Sequence, residues 1–230
     1  MPDYNVTYDA GSLSLSIDGE RVGKALGDLK GKTQAAVKVA INRTARQARA
    51  LMLDDVQERY DLNAAGRKLI RSLKQRKNAT NRSLEARLGI TKNDPGAFRA
   101  DLGYFRTSPS KPYMGGAVWS APEYFQARVL KGSPMSNLSG DGRLSKGFLV
   151  KFKSGHVGMV QRDPQERTEH PKASRWRNKE GFVEKLYTMS SPSGSAMHRT
   201  IWNEDWPDVA EMLQANAERR VAELILKYRK

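Results

Sequence analysis

Between Thr33 and Tyr60, Val37, Ile41, Thr44, Ala48 and Leu51 recur at three- and four-residue intervals. That period draws one apolar stripe along a helix of about eight turns. A stripe of this length must be buried against another element, so the chain has to supply a second layer. Lys38, Arg43, Arg46 and Arg49 project around the other side. The outer face of this helix is therefore cationic.

The rest of the chain supplies strands and one more long helix. Residues 4–17 alternate, with Tyr4, Val6 and Tyr8 on one parity and Leu13, Leu15 and Ile17 on another, which predicts a terminal β-hairpin. Residues 19–31 are glycine-punctuated and weakly helical, and 64–70 predict a short helix. Residues 72–77 and 83–90 pair as strands around Asn78-Ala79-Thr80-Asn81; a continuing basic helix is the competing reading. Residues 91–147 are rich in Gly, Pro and Ser, with short strands expected at 117–120 and 125–130. A hairpin follows over 148–161, turning at Lys153-Ser154-Gly155. Residues 162–180 read as polar loop and 182–189 as a strand. A short helix is expected near 195–202, then a last helix starting at Pro207, a favoured first-turn residue. Its stripe is Val209, Met212, Leu213, Val221, Leu224 and Tyr228. The fold class is α+β: an amphipathic N-terminal helix and a C-terminal helix packed on a small antiparallel sheet with long loops. The expected organisation is an N-terminal β-arm, 1–18, and one domain, 19–230, with extended loops at about 91–120, 131–147 and 163–180.

Charge narrows the function. Forty Lys and Arg stand against 25 Asp and Glu, a formal net charge of +15 that demands an anionic partner. There is no cysteine, hence no disulfide framework and no thiolate metal site. No apolar run approaches the roughly 20 residues of a membrane helix, and the N-terminus carries no signal-peptide pattern. A soluble chain made in the cytosol is expected.

Catalytic signatures are not legible. His156 sits on the predicted hairpin with no acid or nucleophile near it in sequence, and reads as a turn side chain. Asp163 and Glu166 fall in the polar loop and are expected to be solvated. Glu184-Lys185 lacks the partner carboxylates that metal-dependent cleavage needs. No phosphate-cradling loop, HExxH or GxSxG frame occurs. No catalytic, cofactor or metal residue is assigned, and no cofactor is expected. The candidate contacts are instead Lys38, Arg43, Arg46, Arg49, Arg67, Lys68, Arg71, Lys74, Arg76 and Lys77. Three uses stand open: phosphate contact with nucleic acid, ordinary solvated faces, or pairing with acidic faces of neighbouring subunits. No aromatic residue interleaves the basic run, so DNA contact would be to the backbone, without sequence readout.

Three segments in order, AAVKVAINRTARQAR, GFLVKFKSGHVGMVQR and FVEKLYTMSSPSGSAM, followed by a long terminal helix, resemble the prophage minor tail protein Z family of tailed bacteriophages. Val129-Leu130-Lys131-Gly132 matches a further strand of that pattern. The likeness spans about residues 30–225. Residues 1–18 look like an addition, and 94–120 and 131–147 are longer than the pattern. The resemblance implies a non-enzymatic virion protein, assembled in the host bacterial cytoplasm. It would complete the tail or neck at the head-proximal end, for head–tail joining and DNA passage. It also implies copies in a sixfold ring, with tail terminator, tail tube or head–tail connector proteins as neighbours and phage DNA backbone as a possible contact. The alternative is a non-specific DNA-binding protein acting alone through its basic helix face.

Overall fold

The computed structural model describes residues 4–9, 12–17, 30–97, 100–113, 122–139, 142, 144–169 and 181–228. The chain is α+β and divides into two compact units. Met1–Val56, Leu69–Phe98 and Ser193–Lys230 make the first; Gln57–Lys68 and Arg99–Pro192 make the second. Among the described residues the α-helices are α1 (Lys30–Arg59), α2 (Ala64–Ile70) and α3 (Gly194–Tyr228).

In the first unit, β1 (Tyr4–Asp9), β2 (Ser12–Ile17), β3 (Lys74–Lys77) and β4 (Glu85–Gly89) form an antiparallel sheet in the order β1-β2-β4-β3. The N-terminal hairpin expected as an arm is thus half of this sheet, with Leu13 opposite Leu88 and Leu15 opposite Ala86. Leu13, Leu15 and Ile17 from β2 meet Val37, Ile41, Ala48 and Met52 from α1, and Trp202, Val209 and Leu213 from α3. Burying each large apolar side chain here contributes on the order of 2 kcal/mol. One polar bridge fixes the helix register. Asn216 on α3 donates to Thr44 Oγ1 (2.9 Å) and to Gln47 Oε1 (2.6 Å) on α1. The strand pair around Asn78–Asn81 is present, and the competing basic helix is not.

α3 differs from expectation. A break before Pro207 was expected, yet one helix runs from Gly194 to Tyr228 with the proline inside. Proline removes one intrahelical hydrogen bond and costs roughly 3 kcal/mol in a helix interior. Burial of Trp202 and Val209 on either side of it offsets that cost, while Trp206, Pro207 and Asp208 face solvent.

The second unit holds β5 (Ala100–Asp101), β6 (Arg106–Ser108), β7 (Gln126–Arg128), β8 (Ser136–Asn137), β9 (Phe148–Lys151), β10 (Val157–Glu169), β11 (Phe182–Thr188) and β12 (Ser190–Ser191). They form three small antiparallel sheets, β11-β10-β9, β6-β7-β8 and β12-β5. Phe125, Phe148, Leu149, Val150, Met159 and Val160 fill their core.

The expected loop at 162–180 is strand as far as Glu169. Two of its charges, which hid it from a hydropathy reading, find partners across the β10–β11 pair. Arg162 is buried within 3.7 Å of Glu184. Glu166 accepts from Lys185 Nζ (2.6 Å) and Tyr187 Oη (2.7 Å). Asp163, expected to be solvated, is fully buried. The expected weak helix over 19–31, the strand at 117–120 and the loop over 170–180 lie wholly or mostly outside the described residues.

Candidate anion-binding cleft

Lys38, Asn42 and Arg46 stand four residues apart on α1, so they share one face of that helix. The β3–β4 connection lies against this face and is held there by Asn42. The Asn42 amide donates to Ala79 O (3.0 Å), and its Oδ1 accepts from Ala79 N (2.9 Å) and Gln75 Nε2 (3.2 Å). Ala79 is buried, so both its backbone groups need these partners. The turn closes on itself through Thr80 N to Ser83 O (2.8 Å) and Ser83 N to Thr80 Oγ1 (3.1 Å).

Between helix and turn lies an open cleft of about 760 Å3, lined by Lys38, Asn42, Arg46, Asn78, Ala79, Thr80, Asn81 and Arg82. Three cations line it and no carboxylate does. Among the described residues none pairs with Lys38, Arg46 or Arg82. A second cleft, about 520 Å3 in the other unit, contrasts with it. There Asp61 and Arg106 line the same space, and Asp61 already accepts from Arg128 Nε at 2.6 Å.

The ten candidate cations separate into distinct roles. Lys38 and Arg46 line the cleft, and Arg43 is exposed on α1 outside its lining. Arg49 is half-buried and donates through Nε to Leu73 O at 2.7 Å, a packing role. Arg67, in the second unit, donates to Leu62 O at 3.1 Å; Lys68 and Arg71 are exposed. Lys74, Arg76 and Lys77 lie on β3, an edge strand, and each has a carboxylate close by. Arg76 pairs with Asp94, and Lys74 lies 3.8 Å from the same carboxylate. Arg76 and the Thr91 hydroxyl hold the Asp94 carboxyl well below the usual carboxylate range. Lys77 donates to Glu85 at 2.7 Å. Charges on an edge strand discourage pairing with a second chain, and that accounts for this part of the basic run. Arg82, Asn42, Asn78, Thr80 and Asn81 were not among the candidates. The signal that could have found them is the turn itself, since Arg82 follows the Asn78–Asn81 stretch directly.

His156 has an acid after all. Its Nε2 lies 2.7 Å from Asp101 Oδ2, across 55 residues of sequence. Asp101 Oδ1 accepts from Gly103 N (2.6 Å) and Met159 N (3.2 Å). The imidazole lies parallel to the Phe152 ring, centroids 6.0 Å apart, and 5.2 Å from that of Tyr104. The pair ties the β9–β10 hairpin tip to the short 3-10 turn Leu102–Tyr104. Among the described residues no three His, Asp or Glu side chains group as a metal site, and no helix is long and apolar enough to cross a membrane.

Fold and cleft together define a two-unit α+β protein with three cations on one cleft that have no partner among the described residues. The chain matches no protein-family model, no curated protein and no solved structure.

Proposed function

We propose that this chain is a non-enzymatic structural subunit of a tailed-phage virion. It acts in tail completion or the neck, at the head-proximal end of the tail, in head–tail joining and DNA passage. Copies work in a ring of sixfold symmetry beside tail terminator, tail tube or connector proteins. The order of the family-like segments along the chain supports this reading. They fall on α1, on the β9–β10 hairpin, and on β11 through the start of α3. The observation that carries it is the cleft: Lys38, Arg46 and Arg82 face solvent with no counter-charge in its lining. Cations without a partner among the described residues are suited to an anionic component of an assembly, protein or nucleic acid. The same cleft favours a second reading, a DNA-binding protein that acts alone. The two differ in mass and location. Antibody against this chain should label the head–tail junction of purified virions, and the pure protein should form defined rings by light scattering. Virions without the chain would refute the first reading; a monomer or dimer that only coats free duplex would favour the second.

A further inference from the structure

We propose that the cleft between α1 and the β3–β4 turn seats the phosphodiester backbone of duplex DNA. This deepens the reading above by naming the anion the cleft takes, and it rests on the cleft being a docking site.

Four observations carry it. Lys38, Arg46 and Arg82 converge on one space without a carboxylate or an aromatic ring in its lining. Cations without rings suit phosphates and do not suit unstacked bases, which favours duplex over single strand. Ala79 is the one apolar lining residue. An acidic protein docking here would lack the apolar centre that protein interfaces bury. The Asn78 and Asn81 amides have no hydrogen-bond partner among the described residues and can donate to phosphate oxygens, as neutral side chains do on DNA backbones. Finally, Asn42 holds the turn from both sides of Ala79, so the cleft keeps its shape without a ligand. Lys38 and Arg46 are about 12 Å apart along the helix axis, which spans roughly three phosphates of one strand.

The test is a salt titration of full-length protein on a labelled 20-base-pair duplex of arbitrary sequence, read by fluorescence anisotropy. Each phosphate neutralised steepens the slope of log affinity against log salt by about 0.9. The double variant Arg46→Gln/Arg82→Gln should make the slope shallower by about two and weaken binding at least about tenfold at low salt. Both side chains are exposed, and unchanged circular dichroism will verify the fold. Arg43→Gln/Lys68→Gln removes equal charge outside the cleft and should change the slope by less than half as much. Equal slopes for wild type and the cleft variant, or an equal effect of the control pair, would overturn the proposal. So would tighter binding to vesicles of anionic lipid than to duplex at matched charge. These outcomes do not depend on whether virions contain the chain, so this proposal and the assembly reading fail separately.

Discussion

Asn42→Ala should loosen the cleft and leave the two long helices in place. The Asn42 side chain makes three hydrogen bonds, two of them to the backbone of the buried residue Ala79. Alanine leaves the Ala79 N–H and C=O unpaired. Each lost bond costs about 1 kcal/mol net, and more where water cannot replace it. The cleft is open, so water reaches one side and holds the total to about 2–3 kcal/mol. The Gln75 amide is less buried and adds little. Native-state hydrogen exchange is the sharpest assay, because the loss is local: the Ala79 amide should exchange at least about thirtyfold faster. Denaturant unfolding should shift in midpoint with its slope kept. Asn81→Ala is the control, since this exposed lining residue has no hydrogen-bond partner among the described residues; a change within about 0.5 kcal/mol is expected. If Asn42→Ala also stays within that limit and Ala79 remains protected, the turn is held by something else and the reasoning fails.

Acid should destabilise the first unit through His198. Its Nε2 donates to Ile70 O at 2.9 Å, and burial pulls its pKa down to about 4. Because the folded value lies below the unfolded one, stability is full above about pH 6.5 and is lost as pH falls toward 4, by up to about 3 kcal/mol. His198→Gln should flatten that part of a pH series of unfolding midpoints. Asp205 has the opposite sign. Burial and the neighbouring Asp55 raise its pKa to about 7, so stability falls as pH rises from about 4 to 7. Asp205→Asn should stabilise the protein at pH 8 and not at pH 4, by no more than about 1 kcal/mol because the residue is only half-buried and solvent screens part of its charge. Gly103→Ala should disrupt the second unit. Its Cβ would lie 2.5 Å from Asp101 Oδ1 and 2.6 Å from Val157 O, an overpacking cost of about 1–3 kcal/mol. Altered ring resonances of His156 would report the broken tie to Asp101; an unchanged spectrum and midpoint would count against it.

Features governed by short-range periodicity were legible in the chain. The α1 stripe, the N-terminal hairpin, the β9–β10 hairpin and the excess of cations all follow from residues within a few positions of each other. What only the tertiary structure decided is which distant groups meet. Two of the ten candidate cations line the cleft, and they do so because Asn42 captures Ala79, 37 residues on, which brings Arg82 to the same space. Lys74, Arg76 and Lys77 look like their neighbours in sequence, yet they share the carboxylates of Asp94 and Glu85. Pro207 obeys a local rule that breaks helices, and burial of Trp202 and Val209 overrides it. The second part of β10, residues 162–169, reads as loop because its charges look solvated, until β11 brings Glu184 to Arg162 and Lys185 to Glu166. Local sequence sets backbone periodicity and total charge; the partner that neutralises or buries a charge comes from long-range packing, whose energy no short window of residues contains.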